Sequence, residues 1–315
     1  MGKEHASQEH GHDHSGAGGH SHAPVFFSKA FAIGATLNAF FVATQIFYGL
    51  TAHSVALLAD AVHNLGDVLG LLLAWAAATL ARRGPTLART YGYGRGTILA
   101  SLTNAVILLL GCGAIAAEAV GRFNNPQPVA GNVVMWVAAV GIIVNGATAL
   151  MFMKGRQGDL NVRGAFFHMA SDAVVSAGVV VAGLLIQFTG WLWLDPATSL
   201  AIVAVITIGT WGLLQDSLHL AMDAVPEGVD LEKVASMLRR LPGVIEVHDL
   251  HVWGLSTTEN ALTAHLVRAY SDDGSAVIQQ ACEELRAHHG IGHATLQLET
   301  AAGAADCELR PAEIV

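Results

Sequence analysis

Residues 56–75 read ALLADAVHNLGDVLGLLLAW, and residues 165–185 read AFFHMASDAVVSAGVVVAGLL. Both stretches are apolar and long enough to cross a ~30 Å hydrocarbon core as a helix. Each carries one histidine followed four residues later by an aspartate: His63 and Asp67 in the first, His168 and Asp172 in the second. That spacing puts an imidazole and a carboxylate on one helix face. Two such helices packed face to face would surround one point with two nitrogens and two oxygens, the donor set of a four-coordinate divalent metal site. Ionisable groups inside membrane spans are costly and as a rule functional. The competing reading is a His–Asp hydrogen bond that merely ties two helices together.

Composition sets the class. Hydrophobic residues make up 53% of the chain and charged residues only 13%, about half the charged share of a soluble domain. Mean hydropathy is +0.48. Apolar runs near 30–50, 55–80, 98–120, 129–152, 166–188 and 197–214 predict six membrane helices. Cys112, Cys282 and Cys307 form no C-x-x-C pair, and their odd number implies no disulfide framework. Arg82, Arg83, Arg89 and Arg95 lie between the second and third runs, and Lys154, Arg156 and Arg163 between the fourth and fifth. The opposite side holds only Arg122, so the basic loops and both termini are expected to be cytoplasmic.

The net charge of −9 is uneven: from Met222 onward there are 15 acidic and 6 basic residues, which accounts for all of it. An acidic terminal part concentrates cations and disfavours nucleic acid. Its pattern is that of a small soluble domain: an amphipathic helix over 230–241, strands over 244–253 and 261–267, a helix over 275–288 and a strand over 294–300. The order α-β-β-α-β favours an open sheet with helices on one face. Strand alternation puts His265 and Glu299 on faces away from the apolar residues. His248 and His251, three apart, point to opposite faces unless a bulge intervenes, and His293 precedes the third strand with less constraint. A second metal site here competes with a solvated His cluster. Residues 1–25, with His5, His10, His12, His14, His20 and His22 among Gly and Ser, read as a flexible arm that collects metal weakly, or as an inert tail.

Other intramembrane polar residues carry weaker signals. Asp60 shares the side of His63 and is equally an outer-vestibule carboxylate or a boundary residue. Asn38, Asn104 and Asn145 suit interhelical hydrogen bonding better than an ion path. Asp195-Pro196 looks like a helix N-cap followed by Pro in the first turn.

Taken together, the two H-x-x-x-D pairs, SVALLADAVHNLGDVLG, YGYGR, NVRGAFFHMASDAVVSAGVVVAGLL, TGWLWLDPATSLAI, AVPEGVDLEKV and PGVIEVHDLHVWGLST resemble the cation diffusion facilitator family, in its zinc/cobalt/cadmium efflux branch. The resemblance spans residues 28–300. It implies a homodimer with a six-helix transmembrane bundle and a small α+β ferredoxin-like cytosolic domain. The domain plan is an arm at 1–25, a membrane domain at 26–218, the cytosolic domain at 222–302 and a tail at 303–315. The resemblance also implies a transport site at His63, Asp67, His168 and Asp172, and a cytosolic site at His248, His265, Glu299 and His293. Some relatives hold metal in the loop after the second span, but 82–95 contains no Asp or His, so no loop site is expected. Where many relatives have Glu in the first span this chain has Gln45. A terminal cysteine pair is reduced to Cys307, which puts thiolate ligation in doubt.

The functional expectation is a divalent cation exporter of the inner (plasma) membrane. Zn²⁺ is the first candidate cargo, with Co²⁺, Ni²⁺ or Cd²⁺ possible, and protons move in the opposite direction. No cofactor beyond the metal is expected, and the partners are metal ions, protons, membrane lipid and a second copy. An intramembrane metalloenzyme is the alternative, weakened because the chain has no H-E-x-x-H and four protein ligands leave no open position. An importer would carry the same ligands.

Overall fold

The computed structural model describes residues 29–153, 160–269, 274–305, 307 and 309. The His-rich arm, Lys154, Arg156 and the side chain of Arg163 fall outside these residues. Six helices come first: α1 Lys29–Thr51, α2 Val55–Ala81, α3 Gly96–Asn124, α4 Gly131–Met153, α5 Leu160–Thr189 and α6 Leu194–Ala221. Among the described residues, α2 to α6 are each long and apolar enough to cross a membrane, and α1 adds a helix of 23 residues. Every expected run is matched by one helix, and α6 continues past 218 to Ala221.

The bundle closes through small side chains. Ala52, Ala59, Cys112, Val134, Ala138 and Val179 share one buried cluster, because without a strong hydrophobic drive between helices in lipid, close approach must supply the contact energy. Gly131 on α4 and Gly183 on α5 show the limit: a Cβ at Gly131 would lie 2.7 Å from the Gly183 carbonyl oxygen. Phe40, Trp136 and Ile208 point outward, toward lipid. Trp191 and Trp193 stack at 6.1 Å between α5 and α6, the depth of an aromatic belt.

Asp195 does not cap its own helix as its sequence context predicts. It sits inside the first turn of α6, whose N-cap position is Trp193, and its carboxylate serves the N-terminus of α2. It accepts from the Ser54 hydroxyl, from Val55 N–H at 2.7 Å and from Ala56 N–H at 3.3 Å. Ser54 in turn caps α2 by accepting from Leu57 N–H at 3.1 Å. A fully buried carboxylate thus satisfies the orphan donors and complements the dipole of a neighbouring helix end.

The terminal domain follows the expected order: α7 Leu231–Arg239, β1 Val244–Gly254, β2 Asn260–Arg268, α8 Ser275–His288 and β3 Ile291–Thr300, then an unforeseen short α9 Ala301–Ala305. Asp230 caps α7, and the hydrogen bond from Lys233 N–H holds its carboxyl below the usual range. The sheet order is β1-β2-β3, with β1 antiparallel and β3 parallel to β2. Val234 and Leu238 of α7, Val277 and Leu285 of α8, and Leu262 and Leu266 of β2 form the core on one sheet face. The other face carries the polar candidates. An ion pair from Arg95 at the head of α3 to Asp223 just past α6 joins this domain to the bundle. Thr257 N–H also donates to the Thr97 hydroxyl at 3.1 Å. The basic loop at 82–95 and the terminal domain therefore share one side of the bundle.

Asp195→Ala should lower stability by about 3 kcal/mol, because three buried donors lose a charged acceptor. The midpoint of unfolding in detergent measures this, and Asp195→Asn, which keeps an acceptor oxygen, should lose less. An Ala variant as stable as the parent would show that the tie between α6 and α2 is dispensable.

Candidate metal centres

In the membrane, α2 and α5 run antiparallel and present their polar residues to each other in rungs. His63 Nε2 lies 2.9 Å from Asp172 Oδ1, and His168 Nε2 lies 3.2 Å from Asp67 Oδ1. Each imidazole thus meets the carboxylate of the opposite helix more closely than that of its own, since His168 is 3.8 Å from Asp172 Oδ2. The two imidazoles meet edge to face at 5.9 Å between centroids. Ligand atoms of His63, Asp67 and Asp172 all fall within 4.8 Å of one another; His168 is outside that group of three, although its Nε2 lies within 4 Å of both carboxylates. Asp67 Oδ2 and Asp172 Oδ2 are buried and accept no hydrogen bond. Acceptor oxygens without donors, facing two imidazoles in a low-dielectric interior, suit a cation.

Exposure is graded along these rungs. The His168 side chain is 43% exposed and Asp67 17%, whereas Asp172 is 1% exposed. The more open rung lies toward the basic loop and the terminal domain.

One turn beyond the buried rung, away from the terminal domain, stand Asp60 and Ser176, both fully buried. The Gln45 amide donates to Asp60 Oδ2, and Ser176 Oγ donates to the same oxygen at 3.4 Å. Asn64 Nδ2 donates to Gln45 Oε1 at 3.1 Å. Asp60 is therefore closed off from solvent rather than open to a vestibule, and Gln45, where many relatives have Glu, makes a polar contact to it. Nothing in the spacing of Ser176 or Asn64 had marked them out. Asn38 and Asn145 are buried as well.

The second cluster lies on the polar face of the sheet. His248 is directly opposite His265 in the β1–β2 register, with ring centroids 5.1 Å apart. His265 Nδ1 is 2.9 Å from Glu299 Oε1, and His248 Nε2 is 3.4 Å from Glu299 Oε2. Cys307, beyond α9, brings its Sγ to 3.7 Å from His265 Nδ1. Ligand atoms of His248, His265, Glu299 and Cys307 lie within 4.8 Å of one another. Both ring nitrogens of His248 and Glu299 Oε2 are buried without a hydrogen-bond partner, as expected of groups shaped for a cation. Two nitrogens, a carboxylate and a thiol fit zinc.

Three details differ from expectation. A register shift between His248 and His251, with Asp249 at φ +51°, is a bulge that returns His251 to the face of His248. There His251 meets Asp249 Oδ1 at 2.9 Å, outside the cluster. His293 does not join the cluster either: its ring sits 5.4 Å from that of Tyr91 in the basic loop, six residues and about 20 Å along β3 from Glu299. Cys307, whose part in ligation had been in doubt, stands at the cluster, because α9 at Ala301–Ala305 packs back against β2 and β3.

Comparison with known proteins agrees with this architecture. Residues 31–220 match the model of the cation efflux transmembrane domain, and residues 226–301 that of the cation efflux protein cytoplasmic domain. A cadmium, cobalt and zinc/H(+)-K(+) antiporter of Bacillus subtilis is 33% identical over 90% of this chain and 93% of its own length. The zinc transporter ZitB of Escherichia coli is 34% identical over 92% of each. The metal cation efflux system protein CzcD of Cupriavidus metallidurans is 33% identical over 93% of this chain and 90% of its own. A solved metal-bound C-terminal domain of the latter transporter aligns with 22% of this chain and 99% of its own length, at 32% identity and a TM-score of 0.21. With both halves of its architecture matched in order, the chain belongs to the cation diffusion facilitator family, in the zinc, cobalt and cadmium branch.

Proposed function

We propose that this protein exports divalent metal ions, Zn²⁺ foremost, from the cytoplasm in exchange for protons. The observation that carries the reading is the pair of facing rungs His63–Asp172 and His168–Asp67, which gather four metal-binding side chains at membrane depth. An N₂O₂ set suits Zn²⁺ and tolerates Co²⁺. With four protein ligands no position is left for a catalytic water, so the metal is cargo rather than catalyst.

The packing supports movement around this site. α4 lies along α5, and α3 along α6, far more extensively than α2 touches α5. The metal ligands therefore straddle a lightly packed seam between two better-knit groups of helices. Rocking one group against the other would expose the site to alternate sides, and the graded exposure of the rungs describes the state open toward the terminal domain. Orientation follows from the basic loop at 82–95, which shares that side and favours the cytoplasm.

Proton exchange follows from ligand chemistry. His must be neutral and Asp ionised to hold metal, so an acidic outer face discharges the ion and returns protons inward. In the terminal domain, His248, His265, Glu299 and Cys307 would hold a resident metal ion. The domain plan fits the same reading: an arm at 1–25, a membrane domain from 26 to 218, a cytosolic domain from 222 to 302 and the residues beyond. The cytosolic face of a second copy would complete a homodimer in the inner membrane.

Asp67→Ala and Asp172→Ala should each reduce Zn²⁺ flux into proteoliposomes to background, and an imposed proton gradient should drive the wild-type flux. Wild-type rates in both variants would remove the site assignment. His63→Asp should admit Mn²⁺ alongside Zn²⁺, as a larger oxygen share favours harder, larger ions. In the terminal domain, His248→Ala and Cys307→Ser should each weaken the tighter zinc-binding phase by about tenfold or more, measured by equilibrium dialysis of the full chain. Unchanged affinity in both would mean that the polar sheet face is not a metal site.

A further inference from the structure

Beyond the two metal centres, the described residues of the bundle include a further buried ionisable side chain with an incomplete set of partners. Asp60 is fully buried. Its Oδ2 accepts from Gln45 and Ser176, but its Oδ1 has no hydrogen-bond partner, and neither has the nearby Asn64 Oδ1. Asn64 Nδ2 is engaged with Gln45 Oε1 and with the Asp60 carbonyl. The cluster thus holds two acceptors with no donor, around a single titratable group. What is missing is a hydrogen, and a buried carboxylate short of a counter-charge takes one from water most readily.

We propose that Asp60 is a proton-carrying carboxyl of the transport cycle, separate from the metal ligands and one helical turn outward from them. The proposal rests on the exchange of metal for protons set out above. Asp60 and Ser176 form the next rung of the same α2–α5 series: 67 faces 168, 63 faces 172 and 60 faces 176. It is the rung sealed from the side on which the metal site opens. A proton bound there from the outer side would be released inward when the helices rock and the rung hydrates.

The charged and titratable groups around Asp60 are few among the described residues. His63 on its own helix and Asp172 on α5 act on it electrostatically. α1 supplies only the neutral Gln45, and α6 supplies Asp195, which is engaged with the N-terminus of α2. α3 presents the Glu118–Arg122 pair at the outer rim, where Arg122 also donates to the His53 carbonyl. Among the described residues no lysine or arginine acts on Asp60, so the carboxyl must gain and lose its own proton.

The test uses the full chain in proteoliposomes, with proton counterflow and Zn²⁺ flux recorded together. Asp60→Asn keeps the shape and the Gln45 contact but cannot titrate. It should bind Zn²⁺ at the transport site with wild-type affinity, while the protons moved per Zn²⁺ fall and the pH dependence of flux flattens. Asp60→Glu should restore both. Should Asp60→Asn fail to fold, Ser176→Ala serves instead. It removes a donor that stabilises the ionised form, so the pH midpoint of flux should rise, by about half a unit. A wild-type proton ratio and pH profile in Asp60→Asn, or an unmoved midpoint in Ser176→Ala, would overturn the role of Asp60. Wild-type flux indifferent to pH would instead overturn the exchange reading itself, a distinguishable result.

Discussion

A carboxylate oxygen at membrane depth needs a positive partner or a proton, and the bundle is arranged around that requirement. Asp60, Asp67, Asp172 and Asp195 all lie in the membrane domain, and they do not share one answer. Asp195 is matched by helix N–H groups and a hydroxyl, so its charge is spent on holding α2 against α6. Asp67 and Asp172 each face an imidazole from the other helix and keep one oxygen unpartnered. That is a pair shaped to exchange its partner, since protonated imidazole and metal ion can alternate as the positive neighbour. The same physical cost makes one group structural and the others functional, according to whether the donors around it are complete.

Antiparallel α2 and α5 convert this chemistry into geometry. Each step of one turn along α2 meets a step of one turn along α5 in the reverse direction, so a four-residue spacing on both helices yields cross-paired rungs. The glycine contact between α4 and α5 and the carboxylate tie between α6 and α2 stiffen each side of the seam. The seam itself has little apolar packing to break. Rigid groups on both sides and a lightly packed line between them allow two arrangements rather than a continuum of distortions.

Much of this was legible in the sequence because the dominant signals are local. Six apolar runs gave six helices, and the doubled H-x-x-x-D spacing placed ligands on two faces that do meet. Charge bias put the basic loop beside the terminal domain. What escaped depended on contacts between distant residues. Asp195-Pro196 carries the local grammar of a helix start, yet its carboxylate is engaged with residues 54–56, and no pattern near 195 reports that. Gln45, Asn64 and Ser176 are common helix residues whose joint burial around Asp60 exists only once α1, α2 and α5 are packed.

The terminal domain shows the same limit in a sheet. Strand alternation ranked His265 and Glu299 well, because a period of two is strict while the register holds. It failed for His251, since the bulge at Asp249 inserts one residue and changes the face of everything beyond it. Cys307 was out of reach for another reason: it lies past the last strand, and only the turn of α9 returns it to the polar face. The two centres consequently differ in kind. The membrane site offers nitrogen and oxygen alone, at a seam between helices, and suits an ion that must leave. The sheet site adds the Cys307 sulfur beside α9, a donor set suited to the resident ion proposed for it.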